Sequence, residues 1–309
     1  MTVAIIMSMA ACEKKNSEGE TSVKLNVMQF NLQVSNADTS RAKAPAIRKI
    51  IDKYSPDVIG FQEVTPALKE QLDATTFAGT DYKGVITYRN GNDEAVPCYY
   101  NAAKFDLVDS GTFWLSDTPD VPGSFFKGVN CTRIATWTKL TMKSTGKSLL
   151  HVNVHLDHNG KNQVEVAREL RAKQIAVALR FIHENNLPTI MTGDFNQSMS
   201  GPDGVCYPAY RLITGEDEVV LLDGTTCKMD FKNARFEAKE TISDDKTASM
   251  TKYYVEGGAD YDPKHQPIDY IFYTDGAFSP KKFEMFMPTV DGITISDHLG
   301  LFCTFDIAE

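Results

Sequence analysis

No segment of the 309-residue chain is apolar over the twenty or so residues needed to cross a bilayer. Basic charge is scarce too: 32 Lys and Arg stand against 41 Asp and Glu, a net charge of −9. Such a chain lacks the electrostatic footprint of a protein that grips long nucleic acid by its backbone, though a few basic residues can still line a cleft. The nearest approach to a basic cluster, Lys228 to Lys239, is interleaved with Asp230 and Glu237. None of the six cysteines (Cys12, Cys98, Cys131, Cys206, Cys227, Cys303) has CxxC spacing, which argues against a zinc cage. Cys206 and Cys227 could pair in an exported protein, but buried free thiols are the better reading. No repeat of fixed period and no Pro- or Ser-rich linker divides the sequence, so one α/β domain over residues 22–309 is the economical expectation.

What the chain does have is a series of short polar motifs, most of them closing β-branched or aromatic runs. In order they are Gln29-Phe30-Asn31, Gln62-Glu63, His155 within Val-Asn-Val-His-Leu-Asp-His, Gly193-Asp194-Phe195-Asn196, Ile268-Asp269-Tyr270-Ile271 and Ser296-Asp297-His298. A polar side chain at a strand end is held rigidly by the sheet and still reaches solvent, as a catalytic group must. Asn, Glu and Asp are hard oxygen ligands, suited to Mg²⁺ or Mn²⁺. With two histidines beside them, the inventory points to metal-assisted hydrolysis of a phosphoester.

Alternation predicts a strand over Val23 to Asn31, and Ala46, Ile47, Ile50 and Ile51 give Arg41 to Tyr54 one apolar helical face. Ser55-Pro56 stops that helix before a buried strand from Asp57 to Glu63. Further strands are expected at 84–89, 95–100, 107–115, 134–142 and 148–155, then a long amphipathic helix at 164–184 and a short strand at 188–193. The pattern weakens from Ser198 to Pro267, where loops and edge elements are expected. Strands at 268–274 and 299–305 close the chain.

The polar motifs together resemble the endonuclease/exonuclease/phosphatase superfamily, in its order and over nearly the whole chain. The resemblance implies a four-layer α/β/β/α sandwich of two packed mixed sheets with the motifs on one rim. By position it makes Asn31, Glu63 and Asp297 the holders of Mg²⁺ (Mn²⁺ being the alternative), and Asp194 the candidate base for the attacking water. Asn196 would fix that water or a phosphoryl oxygen. Asp269 would pair with His298, and Glu94 would support His155. Whether the histidine–carboxylate pairs or Asp194 act as general base stays open. Arg133 corresponds to an arginine placed near the scissile phosphate, where a guanidinium can donate two parallel hydrogen bonds. Asp157-His158 belongs to a His-Leu-Asp-His variant that leaves the substrate unassigned.

Taken singly, these residues have plainer roles: Asn31 or Glu63 could cap a turn, Arg133 could sit in a surface ion pair, and His151 reads as structural. Independent accidents would not reproduce the order and the strand-end placement together. At the N-terminus, Met9-Ala10-Ala11-Cys12 after the small apolar run from Val3 resembles a bacterial lipobox, with residues 13–22 as a polar tether. That resemblance implies an exported lipoprotein anchored to the membrane of a bacterial cell envelope by lipid on Cys12. The leading expectation is therefore a metal-dependent phosphoesterase acting on a small-molecule or headgroup phosphate. The alternatives are a nuclease acting on DNA or RNA and a surface binding lipoprotein without catalysis.

Overall fold

Period-two alternation along β1 (Val23–Asn31) sends Leu25, Val27, Gln29 and Asn31 to one face and Met28 and Phe30 to the other. Both faces are covered. In the computed structural model, which describes residues 23–160, 162–201, 203–242, 248–251 and 267–307, β1 is central in the first of two large mixed sheets. Its order is β12 (Glu240–Ile242), β14 (Phe278–Phe286), β17 (Gly300–Ile307), β1, β2 (Val58–Gln62), β4 (Cys98–Asn101) and β3 (Tyr82–Val85). The second runs β11 (Phe231–Asn233), β13 (Asp269–Thr274), β8 (Thr189–Asp194), β7 (Ser148–His155), β6 (Ile134–Met142) and β5 (Phe105–Trp114).

Helices cover the outer faces. Met28, Phe30, Phe61 and Phe302 pack with Ile47, Ile50 and Ile51 of α1 (Ala37–Tyr54) and Leu68 of α2 (Pro66–Gln71). Val152, Val154 and Met191 pack with Ile175, Ala178 and Leu179 of α3 (Val164–Asn185) and Ile213 of α4 (Pro208–Thr214). A third core of Leu25, Val27, Leu149, Ile190, Ile271 and Leu301 lies between the sheets. These are the four layers that the motif order implied.

The space between the sheets is graded. Along β7 the inward residues run Leu149, His151, Asn153, His155; along β8, Ile190, Thr192, Asp194; along β2, Val58, Gly60, Gln62. On the antiparallel β13 the same direction reads Tyr273, Ile271, Asp269. Register pairs Asn31 with Gln62, His155 with Asp194 and Asp194 with Asp269, so the polar ends share one rim.

Two differences from the sequence expectations have local causes. Helix α1 begins four residues before Arg41, because Asn36 accepts a hydrogen bond from the Thr39 amide at 2.9 Å and caps an exposed turn with no apolar periodicity. Strand β14 was not expected: Pro280 and two lysines break its alternation, and its pairing with β17 shifts between Pro280 and Lys282. The weakly patterned 198–267 segment supplies the expected edge strands β11 and β12, and adds α4, α5 (Ala234–Glu237) and a hairpin of β9 (Val219–Val220) and β10 (Thr226–Cys227); a second hairpin, β15 (Thr289–Val290) with β16 (Ile293–Thr294), follows β14. Cys98, Cys131, Cys206, Cys227 and Cys303 are free thiols, whereas Cys12 and its tether lie outside the described residues. Among the described residues no helix is long and apolar enough to cross a membrane.

Candidate active site

Strand ends and the tight turns after them build the site. Glu63 directly follows β2 with φ +60°, and Asn196 follows β8 with φ +49°. Non-glycine residues seldom adopt this left-handed backbone, and it turns both side chains back across the rim. Asn31 closes β1 and is fully buried; its Nδ2 donates to Glu63 Oε1 and to Asp194 Oδ2, each at 3.0 Å. Its Oδ1 accepts from the Gln33 amide at 2.9 Å. One amide therefore ties the Glu63 carboxylate to the Asp194 carboxylate, while the Val34 amide fixes the other Glu63 oxygen at 2.8 Å.

Asp194 is the most crowded group. It accepts from Asn31 and, at 2.8 Å, from the Asn196 amide, and it lies 3.5 Å from His155 Nε2 and 3.9 Å from His298 Nε2. Burial, and then the neighbouring Asp269 carboxylate, push its carboxyl up to about 7. His298 goes the other way. Burial disfavours its cation, but Asp269, whose Oδ2 meets Nδ1 at 2.8 Å, prevails with help from Asp194 and holds the imidazolium up to about 10. Ser296 Oγ accepts from the His298 amide and donates to the Asn31 carbonyl, joining the last motif to the first.

His155 stays neutral: burial, followed by the cations Arg133 and Arg89, carries it well below its usual range. Asn196 Nδ2 donates to the Leu156 carbonyl at 3.0 Å and meets His155 Nε2 at 3.1 Å, which leaves the ring proton on Nδ1. Among the described residues that Nδ1 has no partner, and neither does Oε2 of Glu94 in the same cluster. The structure brings Glu94 beside His155 without a hydrogen bond between them, because its other oxygen pairs with Arg89. Asp297 is on the rim, about half exposed and 3.9 Å from His298 Nε2.

Arg133 is buried on the neighbouring wall. Among the described residues its polar contact is a 3.5 Å approach of Nη2 to His158 Nδ1, and its Nε has no partner. A buried guanidinium without a paired carboxylate is a ready anion site. Cys131, Asp157 and His158 cluster near it, but Arg89 Nη1 lies 3.5 Å from Cys131 Sγ and opposes a cation there. Around Glu63 the balance is reversed. Glu63 and Asp297 both act on the Lys43 ammonium, and the orphaned Glu94 oxygen belongs to the Glu63 cluster. Glu63, Glu94 and His155 each offer a ligand atom, all within 4.8 Å of one another, a donor set rich in hard carboxylate oxygen that fits a divalent metal.

The structure leaves His151 behind this rim and does not describe Cys12; it brings Asn31, Glu63, Glu94, His155, Asp194, Asn196, Asp269, Asp297 and His298 together there, with Arg133 on the neighbouring wall. Sequence reasoning missed the residues behind them. Arg171 of α3 is almost fully buried and donates to the Asp157 carbonyl, Asn159 Oδ1 and Gln197 Oε1, stapling the loops that follow β7 and β8. Gln29 Nε2 donates to Asp269 Oδ1 at 2.9 Å. Polar residues at inward parity positions, flanked by apolar outward ones, were the available signal.

Comparison with known proteins follows the same lines. The profile described as Endonuclease/Exonuclease/phosphatase family matches residues 28–298. An endonuclease/exonuclease/phosphatase from Bacteroides vulgatus is 26% identical with a TM-score of 0.74, over 93% of this chain and 100% of that one. The mannosyl-6-phosphatase Bt3783 of Bacteroides thetaiotaomicron is 24% identical with a TM-score of 0.68, over 91% and 99%. D. rerio TDP2, solved with a single-strand DNA product, shares 18% identity and a TM-score of 0.63, over 91% and 98%. No curated protein matches the chain significantly.

Proposed function

The chain belongs to the endonuclease/exonuclease/phosphatase family, and from that premise we propose that it is a divalent-metal-dependent phosphoesterase acting on a small phosphate ester. The observation that carries the reading is the Asn31 amide, which holds Glu63 and Asp194 on either side of one point beside the Asp269–His298 pair. Glu63 and Asp297 would hold the metal, with Asn31 fixing the Glu63 carboxylate. Bound there, Mg²⁺ or Mn²⁺ supplies neutralisation of the charge that builds on the phosphoryl oxygens.

The chain's own groups do the rest. Asp194, with its carboxyl near 7, takes a proton from the attacking water as oxygen closes on phosphorus and the bond to the leaving oxygen breaks. Arg133 holds a phosphoryl oxygen, and the His298 cation, oriented by Asp269, stabilises the negative transition state; Asn196, whose amide protons go to the Leu156 carbonyl and His155, acts by fixing that histidine. His155, neutral and pinned by Asn196, shapes the opposite wall. The excess of acidic residues supports a small substrate over a nucleic acid polymer. Cys12 would carry the lipid of an envelope lipoprotein; labelled fatty acid should be incorporated by the wild type and not by Cys12→Ala.

The test is a panel of a sugar 6-phosphate, inositol phosphates, sphingomyelin, RNA, and single- and double-stranded DNA, each with Mg²⁺ and with chelator. Metal-dependent turnover of a small ester, lost in Asp194→Ala, is expected. Preference for DNA or RNA with a steep salt dependence would replace this reading with a nuclease. Metal binding without turnover of any member would point to a binding protein.

A further inference from the structure

Between the sheets, behind the catalytic rim, runs a chain of buried amides with one direction. Asn153 on β7 donates through Nδ2 to two backbone carbonyls of the opposite sheet, Phe61 at 2.7 Å and Pro97 at 2.9 Å. Both are acceptors only, so the Asn153 amide cannot flip and its Oδ1 must face Gln62 and Thr192. That oxygen accepts from Gln62 Nε2 at 2.7 Å and from Thr192 Oγ1 at 3.1 Å. Gln62 is thereby oriented, and its Oε1 accepts from Gln29 Nε2 at 2.8 Å. The second proton of the same Gln29 nitrogen goes to Asp269 Oδ1 at 2.9 Å. Gln29, Gln62 and Asn153 are fully buried.

The cost of this arrangement identifies its purpose. Among the described residues Gln29 Oε1 is buried without a partner, an arrangement proteins avoid unless something enforces it. Reversing the amide would turn that oxygen toward the Asp269 carboxylate and lose both hydrogen bonds. What holds the amide is Gln62, held in turn by Asn153 and the backbone of the first sheet. We infer that Gln29, Gln62 and Asn153 form a unidirectional hydrogen-bond relay that positions Asp269, so that one carboxylate oxygen is occupied by Gln29 and the other is left to His298. The three are positioning residues: all are fully buried behind the groups that would meet substrate, and they act on the reaction through Asp269. The inference rests on the phosphoesterase reading only for its kinetic consequence, since the relay itself is visible without turnover.

The test uses the full chain, metal-free, observed by NMR. The wild type should show a far-downfield Nδ1 proton that disappears in His298→Ala and is thereby assigned. In Gln29→Met, and in Gln62→Met, which does not touch Asp269, that proton should move upfield or exchange with water about tenfold faster. Once the best phosphoester of the panel is known, kcat in both variants should fall about tenfold or more with KM within about twofold, the usual scale for support residues behind a site. An unchanged proton, with reduced thermal stability as the sole effect, would make the relay mere packing and overturn the inference, whether or not the protein hydrolyses any ester. If either variant fails to fold, the wild type decides. Both Gln29 side-chain amide protons should then exchange as slowly as the β1 backbone, and exchange at the rate of an exposed glutamine would overturn the relay.

Discussion

Arg133 and His151 are both buried polar residues, and they make opposite predictions about what removing them does. Among the described residues no carboxylate pairs with the Arg133 guanidinium, and its proposed contact with the phosphate predicts that Arg133→Lys should raise KM by roughly ten- to a hundredfold, matching about 1.5–3 kcal/mol for a lost charge-assisted bidentate contact. Steady-state kinetics with the best substrate measure this, and an unchanged KM would remove Arg133 from the phosphate site. His151 touches no rim group. It is fully buried with Nε2 against Thr192 Oγ1 at 2.9 Å, and burial pushes its imidazole down to about 3. Its folded-state value is depressed, so its contribution to stability is complete above about 6.5 and is lost as pH falls, when the unfolded chain binds a proton that the folded chain refuses. Urea unfolding should therefore show a stability slope between pH 6 and 4 that is shallower in His151→Gln by about 1.4 kcal/mol per pH unit. Reading His151 as structural from its place early in the strand agrees with this burial. Reading Asn31 as a plain metal ligand did not foresee an amide linking two carboxylates, because a side chain's hydrogen-bond partners across 32 and 163 residues leave no local trace.

At the level of strands, the period-two pattern that predicted β1, β6 and β7 to the residue also encoded the site's depth. Each inward row passes from aliphatic to polar, but the motif-by-motif reading stopped at the last polar residue and overlooked the row beneath it. Strand β14 was illegible because Pro280 and the adjacent lysines interrupt its alternation at the register shift, although the strand lies inside the sheet between β12 and β17. Gly60 of β2 shows how tightly the sheets meet over the amides. A Cβ there would come within 2.2 Å of Thr192 Oγ1 and 2.6 Å of Asn153 Oδ1. Gly60→Ala should cost roughly 1–3 kcal/mol by overpacking, measured by chemical denaturation, and should lower activity as well because Asn153 is displaced. A variant as stable as the wild type would mean the sheets have slack that this packing denies.

For the whole molecule, two sheets with helices outside leave one rim where buried acids collect, and the fold tolerates them because amides and histidines answer their charge. The overall architecture was legible from motif order, since strand ends that carry chemistry must meet. The substrate was not, because the motifs describe the shared rim and say nothing of the surfaces that would meet the rest of the ester. Metal removal should be felt globally: Mg²⁺ at a hundred times its Kd should stabilise the folded chain by about 2.7 kcal/mol. That shift in thermal unfolding should vanish in Glu63→Gln, whereas its persistence would locate the metal elsewhere.

The most direct test of the account is the initial rate of hydrolysis of the best phosphoester as Mg²⁺ is titrated from chelator to saturation, for the wild type, Asp194→Ala and His298→Ala. Saturable metal activation in the wild type, with rates at least about a hundredfold lower in both variants at every metal concentration, is the predicted result. Turnover that persists in chelator, or that survives the loss of Asp194, would contradict a metal-assisted attack of water at this rim.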